Sequence, residues 1–388
     1  MYPFQCDRCR TALFFENDSC LSCGAVQGFS PAERQMRAFA PDPNTPPGSA
    51  WPRLDAGPAL RPCANRDSAA HCNWMLDLAD PVDQTLCCSC RLTQVLPTLG
   101  EPENGLRWQR IEQAKRRLLF TLIDLGLTPV PKQGPDDALG LSFHLLEDQP
   151  GQAAVKTGHD RGTITLNVAE ADDDLREAER VRLGEPMRTL LGHLRHETAH
   201  YLHYRWIEGR PSADDCRAAF GDERADYAQA LRQHYEQGPP ADWPQHFISA
   251  YASSHPWEDW AETCAHYLLV IDAVQTAGAW GLQLDGPATA TLAFADPAQA
   301  PEVGQLVLRQ WLPVAQFLNA MNRSLGRRDS YPFQMPPPVL HKMGVVQALL
   351  QAAGTDMSAS SYTPAQADAA QSDQHCAAAP AAPVPLAV

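Results

Sequence analysis

No stretch of the sequence approaches the roughly 18 uncharged apolar residues of a membrane-crossing helix. The opening MYPFQCDRCR also lacks the long apolar run of a secretion signal. Both absences lead to the expectation of a soluble, cytoplasmic chain with no membrane partner. Positive charge is scarce as well: 31 Lys and Arg stand against 46 Asp and Glu, for a formal net charge of −15. Neutralising phosphates takes clustered cations, so nucleic acid is not an expected partner. With 388 residues, 44% of them hydrophobic, the chain can bury a sizeable core and form two or three domains.

Cysteine is not scarce. Nine of the twelve fall before Arg91 in paired spacings, and in a reducing compartment such pairs serve metal rather than disulfides. CDRC supplies Cys6 and Cys9 and CLSC supplies Cys20 and Cys23. Each pair sits on a tight turn that aims two thiolates at one ion, which predicts a zinc ribbon over residues 1–39. Ala40 to Arg61 is loaded with proline and glycine and reads as a linker or extended connection with a domain boundary near it. Cys63, Cys72, Cys87 and Cys90 then form a second four-cysteine set, predicting a second structural zinc within 40–104, with Cys88 and His71 as substitutes for one ligand.

Beyond Gly105, apolar residues recur on one face of a helix to about Leu127 and open a larger domain over 105–350. GTITLNV alternates Ile164, Leu166 and Val168 with polar residues, as a half-buried strand does. The acidic EADDDLREAER reads as a solvated helix start. Helical patterns resume at Pro186 and run with interruptions to about Leu325. The Ala/Pro-rich residues 351–388 lack apolar periodicity and are expected to be disordered.

HLRHETAHYLHYRW carries the chemistry. On a helix, His196 and His200 are one turn apart on one face and can both present a ring nitrogen to one ion. Glu197 is rotated by about 100° from His196, so its carboxylate reaches a water on that ion instead of the ion. Zinc lowers the pKa of such a water to about 7, and the glutamate takes its proton as it attacks a carbonyl. His193 and His203, one turn out on either side, are assigned to packing or supporting hydrogen bonds. The metzincin continuation needs glycine at position 203 and histidine at 206, where this chain has His203 and Trp206. The third ligand must then come from elsewhere, and AYASSHPWEDWAETCAHYLL offers Glu258, Glu262 and His266 on one face of a helix started by Pro256. Either Glu258 or Glu262 can bind the ion while the other orients a histidine.

The ribbon cysteines, CNW, CSCRLT, TLNVAEADD, RTLLGHLRHETAHY, FGDERADYAQAL and HPWEDWAETCAHYL together resemble the bacterial zinc-binding metallopeptidases with an N-terminal zinc ribbon, over roughly Met1 to Leu350. The resemblance implies an α+β fold, with zinc-ribbon segments ahead of a mostly helical, zincin-like domain with a small sheet. EDWAE is also similar to the Glu, three residues, Glu arrangement of lethal-factor-type gluzincins, in which the first Glu binds zinc. That similarity implies Glu258 as ligand and Glu262 as its support or alternative. It also implies that Tyr251, seven residues before Glu258, donates to the developing oxyanion. Ala199 stands where relatives have glycine and His203 where they have an aromatic, and neither is a ligand position.

The expected protein is thus a zinc metallopeptidase of gluzincin type, with one catalytic and two structural zinc ions and a peptide or protein substrate. GTITLNV is expected to form the cleft edge that pairs an extended substrate, and the ribbon to recruit a protein partner. Two alternatives come from other classes: a zinc-ribbon adaptor with a non-catalytic metal site, and a zinc hydrolase of a non-peptide substrate.

Overall fold

The computed structural model describes residues 2–44, 46, 48–183, 188–285, 290–291 and 302–359. Short antiparallel hairpins build the N-terminal part: β1 (Phe4–Gln5) with β2 (Ala12–Leu13), β3 (Val26–Ser30) with β4 (Gln35–Phe39), and β5 (Arg61–Pro62) with β6 (Met75–Leu76). The Pro/Gly-rich stretch, read as a linker or extended connection, is packed in place. Trp51 and Leu60 exchange backbone hydrogen bonds of 2.7 and 3.2 Å. Phe39, Leu60 and Met75 bury together, with Trp51 and Val26 against them. Burial of these large side chains overrides the local preference for a loose chain. The two cysteine segments are also sewn to each other, Phe29 N–H donating to Asn73 O and Asn73 Nδ2 to Phe15 O.

That assembly shares its core with the helical part of the chain. Phe120 of α1 (Pro102–Asp124) meets Phe15 and Phe29 at ring-centroid distances of 5.4 and 5.7 Å, and Phe29 meets Trp74 at 5.1 Å. Such contacts add to the large area that each ring buries.

One four-stranded sheet backs the second part, in the order β7 (Thr93–Val95), β8 (Ser142–Leu146), β10 (Thr163–Asn167), β9 (Gly158–Asp160). The first three run parallel and β9 is antiparallel to β10. β7 lies upstream of the expected boundary at Gly105, so the second cysteine segment feeds directly into this sheet. β10 buries Ile164 and Leu166, in line with its alternation. It is not, however, the sheet edge expected for GTITLNV, because β9 covers Thr163 to Thr165. Asp160 pairs with Thr163 across Arg161 and Gly162, whose φ angles of 41° and 81° make a two-residue turn of the type that suits a twisted hairpin. A Cβ on Gly162 would collide with the Gly140 carbonyl.

The helices are α2 (Asp173–Leu183), α3 (Leu190–Trp206), α4 (Ser212–Phe220), α5 (Tyr227–Gln237), α6 (Pro256–Ala279) and α7 (Val303–Gln305). The last continues through a π-helical stretch (Leu306–Trp311) into α8 (Leu312–Ser324), and α9 (Pro337–Ala359) comes last. The fold is therefore α+β, ribbon-like hairpins first and a mostly helical part after. Pro186 lies outside the described residues. The tail departs from expectation at its start: α9 runs through 351–359 because Leu350 and Ala353 are buried and Gly354 packs against the backbone of Leu125 and Gly126. Residues 360–388 lie outside the described residues. No helix among the described residues is long and apolar enough to cross a membrane.

Candidate metal centre

α3 and α6 pack face to face, and each begins with a specific cap. The Thr189 hydroxyl accepts from Gly192 N–H at 2.9 Å to start α3. His255 Nδ1 accepts from Trp257 N–H at 3.1 Å ahead of Pro256, whose fixed φ suits the first turn of α6. Trp260 Nε1–H donates to Ala199 O at 2.9 Å and fixes the register between the helices.

This register brings His196, His200 and Glu258 together, all buried, with one ligand atom from each lying within 4.8 Å of the others. Glu258 Oε2 is 3.1 Å from His196 Nε2 and 3.6 Å from His200 Nε2. Ligand bonds of about 2.05 Å in a tetrahedron place neighbouring ligand atoms about 3.3 Å apart, so the donor set fits a zinc ion. Glu258 Oε2 is buried without a hydrogen-bond partner, as a lone pair kept for a cation would be.

Glu262, the other candidate, is turned to a different task. Its Oε1 lies 2.7 Å from His196 Nδ1 and its Oε2 accepts from the Ser249 hydroxyl at 2.7 Å. The first contact leaves the His196 Nε2 lone pair facing Glu258. His200 is held by stacking, its ring parallel within 14° to Trp257 at 4.7 Å. His203 packs on the edges of Trp257 and Trp260. His266 does not join the cluster, since its Nδ1 is 2.8 Å from the Tyr331 hydroxyl.

Glu197 points one oxygen at His193, with Oε1 to Nε2 at 3.3 Å, while Oε2 is buried with no partner. Burial alone raises its pKa, but the His193 contact outweighs it and holds the carboxyl below the usual carboxylate range. Tyr251 sits with its ring 6.1 Å from that of His196. Burial, reinforced by the Glu258 charge, pushes its phenol far up, so it stays protonated.

Three contributors carried no role in the sequence reading. The Tyr227 hydroxyl donates to Glu258 Oε1 at 2.6 Å and lies against Tyr251. Trp257 stacks on His200. Glu170, read as part of a solvated helix start, instead turns inward to His193 Nδ1 at 2.5 Å and accepts from the Thr157 hydroxyl. The buried Ala171 beside it draws the chain inward, whereas Asp173 and Asp174 do begin α2. For Tyr227 the stretch FGDERADYAQAL was the available signal.

The cysteines form two further clusters, Cys6, Cys9, Cys20 and Cys23, and Cys63, Cys72, Cys87 and Cys90. Sulfur separations of 3.7 Å (Cys6 to Cys23), 3.5 Å (Cys9 to Cys20) and 3.6 Å (Cys72 to Cys87) match the roughly 3.8 Å between thiolates on a tetrahedral zinc. Cys88 and His71 stand outside the second cluster, and burial pushes the Cys88 thiol up to about 12.

Comparison with known proteins agrees with this layout. A family model described as "Putative zinc-binding metallo-peptidase" matches residues 104–349, and a zinc-ribbon domain model matches 3–101. Uncharacterized proteins of Mycobacterium tuberculosis and Mycobacterium bovis are 41% identical over 359 residues, covering 92% of this chain and 97% of theirs. No solved structure matches.

Proposed function

The chain belongs to the zinc-binding metallo-peptidase family, and on that premise we propose that it hydrolyses peptide bonds, with His196, His200 and Glu258 holding a catalytic zinc and Glu197 as the base. The observation that carries the reading is Glu197 Oε2, buried and unpartnered beside three convergent ligand atoms. A purely structural metal needs no such group. When bound, the ion would supply Lewis-acid polarisation of the scissile carbonyl and acidify the attacking water.

Glu197 takes a proton from that water on Oε2 and returns it to the leaving nitrogen. Tyr251, kept protonated by burial, donates to the oxyanion. Glu262 and Trp257 fix the two histidine rings, and Tyr227 holds Glu258. β9 is the last strand of its sheet, and its ring contact His159 to His200 (6.5 Å) sets it beside the site. An extended peptide pairing with β9 would lie along the metal centre, the role expected of GTITLNV. The two cysteine clusters hold structural zinc, for a total of three ions.

The test uses zinc-loaded full-length protein and a quenched fluorescent peptide library, with metal counted by plasma emission. Cleavage should be lost in Glu197→Gln while all three ions remain. An uncut library with wild-type protein, or cleavage by Glu197→Gln, refutes the peptidase reading.

A further inference from the structure

His193 is the half-buried polar side chain at this site for which the peptidase reading has no use. It stands one helical turn before Glu197 and is gripped from outside its own helix. Glu170, on the turn after β10, uses both carboxylate oxygens as acceptors, Oε1 from the Thr157 hydroxyl and Oε2 towards His193 Nδ1 at 2.5 Å. Arg176 Nη1 in turn donates to the Glu170 carbonyl at 2.6 Å and fastens the turn. A carboxylate is acceptor-only, and one faces each ring nitrogen of His193, Glu170 at Nδ1 and Glu197 at Nε2, so both nitrogens carry a proton and the ring is fixed in plane and direction. The opposite nitrogen, Nε2, then faces Glu197 Oε1 at 3.3 Å. The other oxygen of Glu197 is the one without a partner.

We propose that His193, clamped by Glu170, is the positioning residue of the base: it occupies Oε1 of Glu197 and leaves Oε2 as the one oxygen that exchanges protons. The inference rests on the reading of Glu197 as base. The proton balance needs nothing further. The water's proton moves to Oε2 and from there to the leaving nitrogen, while the Nε2–H to Oε1 contact persists throughout and His193 neither gains nor loses a proton. Without this grip the Glu197 carboxylate is free to rotate. Positioning partners one step removed from a metal site are typically worth about 10- to 100-fold in affinity or activity.

Acetohydroxamic acid tests this without a known substrate, because a hydroxamic acid binds a metal as its anion and sheds a proton to a nearby base. Its affinity for zinc-loaded full-length protein is measured by calorimetry, with zinc content and melting temperature recorded for each variant. His193→Ala should weaken binding about 10- to 100-fold in the native background, yet leave it unchanged when Glu197→Gln is already present. His193→Gln, which keeps a donor for Oε1, should recover most of the loss, and Glu170→Gln should weaken binding in the same direction as His193→Ala. Equal losses with and without Glu197→Gln, or no loss from His193→Ala or Glu170→Gln, overturn the proposal. Equal binding by wild type and Glu197→Gln refutes the base reading itself. Failure of zinc-loaded wild type to bind the probe refutes the open metal site on which both depend.

Discussion

Replacing Glu262 and Glu258 in turn tests the proposed division between a residue that orients a ligand and one that is a ligand. Glu262→Ala deletes the carboxylate that spans His196 Nδ1 and the Ser249 hydroxyl, both at 2.7 Å. Ser249 Oγ keeps its bond from Ala252 N–H at 3.0 Å, so the local turn survives and the loss falls on His196, whose ring becomes free to rotate. An orienting partner of this kind costs about 10- to 100-fold in metal affinity, or about 1.4–2.7 kcal/mol. Glu258→Ala removes an anionic ligand atom and strands the Tyr227 hydroxyl, so its loss should exceed the top of that range. The assay is competition with a zinc chelator on full-length protein. The tetrathiolate sites are expected to retain their ions while one equivalent is released. Glu262→Gln, whose amide oxygen can still accept from Nδ1–H, should recover most of the affinity. A larger loss from Glu262→Ala than from Glu258→Ala would reverse the assignment of the third ligand.

Two further expectations concern stability. Phe120 is 2% exposed where ribbon aromatics meet α1, so Phe120→Ala should cost about 3–5 kcal/mol, read as a lower melting temperature of one cooperative transition. A ribbon that melts separately in wild type and leaves the main transition unmoved in the variant would refute the shared core. His266 is buried, and burial holds its pKa at about 4 against roughly 6.5 unfolded. The folded state therefore resists protonation: its stability is full above about pH 6.5 and declines as pH falls towards 4, by up to about 3 kcal/mol from this group. His266→Asn should flatten that part of the profile in urea unfolding, and identical slopes in both proteins would show that His266 does not contribute.

The residues most legible in the sequence are those whose geometry is local. His196 and His200 owe their meeting to one helical turn, the cysteine pairs to one tight turn each, and β10 to alternation over five residues. Other features had no local signature. β9 is three residues long, GHD, and its strand state comes from the turn at Arg161 and Gly162 together with pairing to β10. Glu170 and Tyr227 reach the site across 23 and 31 residues of chain. Each is a single polar side chain in a polar stretch, where periodicity cannot mark it out. The packing of the proline-rich connection was not legible because Trp51 and Leu60 bury against Phe39 and Met75, which lie outside it.

The path of the chain between Cys90 and α1 bears on what the ribbon does. Cys90 begins a short 3-10 turn to Leu92, and β7 starts directly after it at Thr93 to pair with β8. The second cysteine cluster is thus one residue pair from the sheet whose far strand flanks His200. α1 closes the circuit: Arg116, 3% exposed, donates to the carbonyls of Ala70 and His71 beside that cluster. Four thiolates around a zinc ion leave a net charge of −2, and a buried guanidinium nearby offsets part of its desolvation cost. α1 also packs on α3, the helix that carries His196, Glu197 and His200. A recruiting module on a flexible tether would share neither core nor sheet with the helical part. The ribbon assembly instead anchors one end of the scaffold that aligns α3. Any partner it recruits would then dock on an outward face such as that carrying Leu21, 93% exposed.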